Sequence, residues 1–470
     1  MKDRRIVSAE PLKGRHFTIA ACIRVPRYRT RDQYLIVEKG DFDGYSLKVQ
    51  KLTGLMNFTT PNHGTFSCCM VDDGKYHHIA LVQEDLELRF YLDGMEMYTF
   101  DVPGGLSGTD GRPVLGQDPD GGWRLYGEIR AVHTANRTFS SEEIQALARN
   151  TPENPRETRG PVPSAPLFED PLFNSAKDGT IVWNPVEKNW WFIYMQIRNG
   201  NPGEGVSIHH ATTFGAASSP DGLNWTYRGF LQWLEARPGR NTFWAPEILW
   251  QDGRFHGYFS HVVGIGPHWE GDRVIRHYVS DDIMNWKLVG ELDGIGSNRC
   301  LDCCVYPLPD GRWGMLFKDE VVNETGFAIG DDLYHFKAAG HIDHGTLPVE
   351  GCDVFFWKGY YWMLGDDCYT YNGLRVYRST DAINWERLDN ILDTPGKRQS
   401  DENLGHHPEI VLNPETDEAY VFYWTQGYPM LPGVITEICL LQVAKLEYAD
   451  GKLVCDRDKE FELHMPCREE

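Results

Sequence analysis

Five segments in the C-terminal two thirds of this 470-residue chain each set an acid or a histidine just ahead of an apolar hairpin. They are "DGTIVWNPVEKNWWFIYMQ" from Asp178, "APEILWQDGRFHGYFSH" with Glu247, "DCCVYPLPDGRWGMLFKD" from Asp302, "EGCDVFFWKGYYWMLGDD" from Glu350, and "HHPEIVLNPETDEAYVFYWTQ" from His406 and His407. Each alone is an ordinary hairpin, a polar residue before a strand, a turn and a second strand. Gathered round one hollow, the carboxylates acquire a use. Hydrolysis of a glycosidic bond needs one carboxylic acid to protonate the leaving oxygen and one carboxylate to activate water or attack carbon. A third nearby acid keeps the proton donor protonated by like-charge repulsion. Trp and Tyr at the rim suit the apolar faces of sugar rings. Glu350 is the candidate proton donor.

Convergence requires an architecture, and a second repeat supplies one. "SPDGLNW" ends at Trp225, "SDDIMNW" at Trp286, "GDDLYHF" at Phe336 and "STDAINW" at Trp385. A period of about 50 residues with only strand-like segments between is the pattern of propeller blades. Five hairpins imply five blades, the last completed by "EICLLQVAKLEYADGKLVC". The first strand of a blade lines the central channel, so Asp178, Glu247, Asp302, Glu350 and His406 or His407 should meet there. A strand start leaves either histidine able to face inward. His210, in "GVSIHHATTFG", is a further candidate to reach the pocket.

Composition bounds the partners. The net charge of −22 argues against nucleic acid and anionic membranes, and against a strongly anionic polymer unless a local basic pocket overrides the global field. Aromatic residues make up 13% and charged ones 24%, a globular balance. The N-terminus has no apolar segment of signal-peptide length. The 11 cysteines form neither a disulfide framework nor a zinc module, which suits reduced thiols in a cytoplasmic protein.

The organisation reads as all-β: residues 1–150, a Pro-rich linker at 151–166, and 167–470. Ahead of the linker, alternating segments such as "HFTIAACIRV" and "LELRFYLDGMEMYTF" describe an antiparallel sandwich. Ser140 with Glu143 makes a capping box for the one expected helix. "DGKYHHIALV", "LRFYLDGMEMYTF" and "LYGEIRAVHTANRTFSSEEIQAL" resemble a laminin G-like, concanavalin A-type jelly roll. That resemblance implies a sugar-binding or packing module, and no catalytic carboxylate is expected from residues 1–150 because the five hairpin starts already account for acid, base and modulator. His77 and His78 are expected to be structural, since strand neighbours point to opposite faces.

Residues 165–455 resemble the five-bladed glycoside hydrolases of families 43 and 117. The resemblance implies Asp178 in "AKDGTIVW" as general base, Asp302 in "CLDCCVYPLPDG" as the residue that raises the acid's pKa, and Glu350 as general acid. "FWAPEI" corresponds to the second-blade signature, with Glu247 and Trp244 as pocket residues, and "LGHHPEIV" supplies the fifth-blade histidine. Here Asp178-Gly179 and Glu350-Gly351-Cys352 replace the usual Asp-Pro and Glu-Gly-Pro. Glu-Cys at the acid is the habit of the fructan-cleaving family 32, whose Asn-Asp-Pro-Asn signature is missing. The implied activity is inverting hydrolysis of a plant-type glycan, with no required cofactor and at most a structural calcium at the axis. The alternatives are a non-catalytic glycan-binding protein and a retaining fructan hydrolase or transferase.

Overall fold

The computed structural model describes residues 6–27, 30–61, 64–106, 111–118, 120–122, 124–154, 160–197, 211–234, 241–264, 268–269, 271–342, 348–367, 370, 372–426 and 438–466. The chain forms two compact units, residues 1–158 with 171–174, and 159–170 with 175–470. The Pro-rich stretch is therefore shared, and Pro171–Asn174 returns to the first unit. There the Cys69 and Met70 N–H groups donate to the Leu172 and Pro171 carbonyls at 2.8 and 2.7 Å.

The first unit is a sandwich of a six-stranded and a five-stranded sheet. His16–Arg24 lies inside the larger sheet, paired on both sides, and its interior residues are buried on both faces instead of alternating. The reason is the helix Ser141–Ala148, which places Ile144 against Ala20, Ala80, Val82 and Tyr91. Its capping box is formed: Ser140 Oγ accepts from the Glu143 N–H, and the Glu143 carboxylate from the Ser140 N–H. His77 and His78 do diverge. His77 bridges Asp93 (2.8 Å) and Asp73 (3.0 Å); burial opposes its charge, but the two carboxylates outweigh it and lift its pKa to about 9. Burial drives His78 down to about 4.

The second unit contains five four-stranded sheets, each an antiparallel meander in sequence order. Their first strands are Ala176–Asn184, Asn241–Gln251, Cys300–Pro307, Glu350–Trp357 and His406–Asn413. Each neighbours the next, and the fifth neighbours the first. Five apolar clusters fill the spaces between successive sheets, fifth to first included. The repeated aromatic explains itself here. Trp225, Trp286, Phe336 and Trp385 each belong to the cluster between their own sheet and the preceding one. The turn before each aromatic is held by its aspartate. Asp381, for example, accepts from the Ile383 and Asn384 N–H groups, from Asn384 Nδ2 and from Ser379 Oγ at 2.7–2.9 Å.

A side chain in one first strand receives a backbone N–H from the next. Glu247 accepts from Val305 at 2.8 Å, Cys304 from Val354, Asp353 from Ile410 at 2.6 Å, and Glu409 from Ile181. Glu409 also accepts from the Thr180 hydroxyl. Burial pushes the pKa values of Glu247, Asp353 and Glu409 upward; the acids add mutual repulsion at Glu247 and Glu409, and the accepted N–H groups oppose the rise.

Two outcomes are expected. Asp381→Ala removes a charged acceptor of several hydrogen bonds and should lower stability by about 1.5–3 kcal/mol, read as a shift of the urea midpoint. The raised carboxylates make a second. Unfolded, they lose protons near pH 4; folded, they hold them to higher pH, so the unfolded state binds fewer protons in between and stability falls as pH rises. Glu247→Gln keeps an acceptor for Val305 and should flatten the decline in urea midpoint from about pH 5 to about pH 8. An unchanged slope would remove Glu247 from this account.

Candidate active site

Every first strand of the second unit carries a bulge at the same point. Pairing with the second strand slips between Lys177 and Thr180, Trp244 and Pro246, Leu301 and Cys304, Glu350 and Asp353, and His406 and Glu409. The bulge holds one residue at positive φ: Asp178 (44°), Ala245 (40°), Asp302 (51°), Gly351 (56°) and His407 (47°). Left-handed backbone at a non-glycine residue costs about 1–3 kcal/mol and persists only where its surroundings enforce it. Here the N–H groups are captured. Asp302 donates to Ser260 Oγ at 2.9 Å and His407 to Asp366 Oδ1 at 2.6 Å.

The glycines that follow two of the candidate acids have local causes. A Cβ at Gly351 would come within 2.3 Å of His407 Nδ1, so the residue after the candidate acid has no room for a side chain. A Cβ at Gly179 would meet the Ile193 carbonyl oxygen at 2.6 Å, which excludes proline after Asp178 in this backbone.

Asp178, Asp302 and Glu350 come from three different sheets and act on one another. Asp302 is 8% exposed, and burial, then Glu350, then Asp178 raise its pKa well above the ordinary carboxylate range against the pull of Lys318. Lys318 Nζ donates to Glu350 Oε2 at 3.0 Å. The charge on Glu350, beside the Lys318 ammonium, thus helps hold Asp302 protonated. Asp178 has other partners. It accepts from Trp424 Nε1 at 2.7 Å, with His407 Nδ1 at 3.7 Å. Burial raises its pKa, Lys177 and His407 oppose this, and Asp366 adds to it.

The structure separates the two histidines. His407 lies between Asp178 and Gly351, whereas His406 stacks on Trp424 at 4.7 Å and meets Asp366 Oδ2 at 3.3 Å. Glu247 sits two residues past its bulge and is engaged with Val305, so its carboxylate joins neighbouring strands. Trp244 is buried, with Arg273 over its ring at 5.1 Å and the edge of Trp269 at 5.9 Å. Trp269 is the exposed ring of that pair, at 49%. His210 lies outside the described residues. Among the described residues no group of three or more His, Cys, Asp or Glu side chains is arranged to hold a metal.

Lys318, Asp366 and Trp424 escaped the sequence reading. They share one position: each pairs across its hairpin with the residue before the bulge, Leu301, Glu350 and His406 respectively. Counting hairpin register from the turns would have singled them out. A cavity of about 10 Å³, room for roughly one water, is lined by Asp178, His407, Glu409 and Trp424. The larger one, about 320 Å³, lies along Asp389, Asp393, Lys452 and Asp456 and shares no residue with this site.

Residues 4–145 match the family described as the concanavalin A-like lectin/glucanases superfamily. No curated protein matches the chain. Among solved structures it is similar to a thermostable family-43 glycoside hydrolase, at 17% identity over 62% of this chain and 96% of the other, with a TM-score of 0.48. It is also similar to a GH43_1 enzyme from Xanthomonas citri (16%, 66% and 95%, 0.46) and to a xylan β-1,4-xylosidase from Bacillus halodurans C-125 (15%, 63% and 59%, 0.45). The family match falls on the sandwich, so the first unit is a concanavalin A-like domain.

Proposed function

We propose that the second unit is a five-bladed propeller acting as an inverting glycoside hydrolase, with Asp178 as general base and Glu350 as general acid. One observation carries the reading: acids from three separate bulged strands bear on one another, with Asp302 raised by both Glu350 and Asp178, Glu350 held by Lys318, and Asp178 held by Trp424 with His407 near it. An acid kept protonated by its neighbours is a source of a proton at neutral pH. At rest Asp302, whose pKa is raised, holds the proton and Lys318 pairs with Glu350; in the reaction Glu350 takes that proton from Asp302, which is left charged, and delivers it to the leaving oxygen. Asp178, oriented by the Trp424 indole, takes the proton of the attacking water. Residues 1–150 supply none of these groups, and the domain at 4–145 is an accessory, glycan-binding or packing module.

The test begins with a panel of aryl glycosides and plant oligosaccharides. On a substrate so found, Glu350→Gln and Asp178→Asn should each lose about 100- to 10,000-fold in turnover with the fold intact by circular dichroism. Near wild-type turnover in either variant on an unactivated substrate would cancel that residue's role. The stereochemistry is a separate measurement. Inversion needs the two carboxyl groups about 6.5–9.5 Å apart to admit a water. NMR of the first-formed sugar, before mutarotation, should reveal the anomer opposite to the substrate's. Retention would make Asp178 a nucleophile and favour the family 32-like alternative.

A further inference from the structure

Three cations stand on the Glu350 side of the site. Lys318 contacts Glu350 at 3.0 Å and Glu320 at 3.8 Å. Glu320 also takes Arg273 at 3.0 Å and Arg299 at 2.9 Å. Lys318, Arg273 and Arg299 thus gather round Glu320, with Glu350 on the far side of Lys318. The opposite side is balanced differently, with Asp178 and Asp366 facing Lys177, His406 and His407.

Two of these cations are short of acceptors. Beyond Glu320, Arg273 donates to the Gly271 carbonyl at 3.0 Å and Arg299 to the Trp269 carbonyl at 2.7 Å. The Nε atoms of both arginines are buried and find no acceptor among the described residues. Burying guanidinium groups short of acceptors is costly, and Arg273 is only 1% exposed. A neutral ligand supplies no counter-charge. Arg299 is about one-third exposed and Trp269 about half, so a guanidinium fork and an aromatic ring reach solvent at Glu320, which Lys318 links to the candidate acid. A planar fork suits the oxygens of a carboxylate or sulfate, and an indole suits the C–H face of a sugar.

Building on the glycosidase reading, we propose that the sugar bound against Glu350 is anionic, a uronate or a sulfate ester, recognised by Arg299 and Lys318. Because Glu350 serves the leaving oxygen, the charged unit is on the leaving-group side of the scissile bond. The overall charge of −22 repels such a ligand at long range, but Debye screening confines that field to about 8 Å in physiological salt, and the local cations decide.

The test uses the full chain carrying Glu350→Gln, so that bound sugars are not cleaved. Calorimetry at low salt and in 0.5 M NaCl would compare oligogalacturonides, sulfated galacto-oligosaccharides and neutral xylo- and galacto-oligosaccharides of equal length. One anionic class should bind at least about tenfold more tightly than the neutral sugars, the difference expected of a charged hydrogen bond, and salt should erode the preference. Which class does so distinguishes carboxylate from sulfate. Adding Arg299→Met should abolish the preference and leave neutral binding unchanged, Lys318→Met should abolish the preference as well, and Arg299→Lys should restore part of it. Where a methionine variant fails to fold, the salt dependence and Arg299→Lys decide. Equal or tighter binding of neutral sugars, or a preference indifferent to Arg299 and Lys318, overturns the anionic assignment and leaves the glycosidase reading standing. Binding of no oligosaccharide overturns both.

Discussion

The second unit depends on one recurring contact, a backbone N–H three residues past a bulge donated to the side chain two residues past the bulge in the neighbouring first strand. Val305 on Glu247 and Ile410 on Asp353 make it at 2.8 and 2.6 Å, and the Val354 and Ile181 N–H groups act on Cys304 and Glu409 at two further junctions. First strands of adjacent sheets share no ladder, so their inner N–H groups would otherwise go unpaired at a cost of roughly 1–3 kcal/mol each. The contact also sets the phase of the strands. With position two committed to a neighbour, the left-handed residue before it is fixed, and Asp178, Asp302 and His407 stand at equivalent points of three strands.

This solution concentrates acids. Glu247, Asp353 and Glu409 accept N–H groups in a poorly solvated interior and repel one another, which holds their protons on above the usual range. Asp302 feels the same desolvation with Glu350 and Asp178 nearby. The electrostatics that make these acids expensive as scaffold are those a proton donor needs near neutral pH. Lys318 limits the expense by contacting Glu350 and opposing the rise at Asp302.

The first unit solves a simpler problem. Its central strand is covered on one face by the opposing sheet and on the other by a capped helix, and its paired histidine and aspartates are consumed internally. Similarity to concanavalin A-like domains fits that economy, since such a sandwich needs no polar interior to close.

The sequence by itself determined the all-β composition, the five hairpins, the capping box, the repeated aromatics and the acids at the strand starts. Those signals are local: alternation, turn chemistry and an N-cap act within a few residues, and each repeat copy reinforces the others. Tertiary structure alone decided what the acids do. Glu247 and Glu350 are both glutamates beside the start of a hairpin, yet a bulge offset of a few residues sends Glu247 to Val305 and Glu350 to Lys318. His406 and His407, inseparable in the chain, part for the same reason, since positive φ at His407 turns it towards Asp178 while His406 stacks on Trp424. Lys318, Arg273 and Arg299 read as scattered surface cations until strands from two sheets bring them to Glu320. Charge, burial and proton affinity depend on neighbours far away in sequence, and no local pattern encodes them.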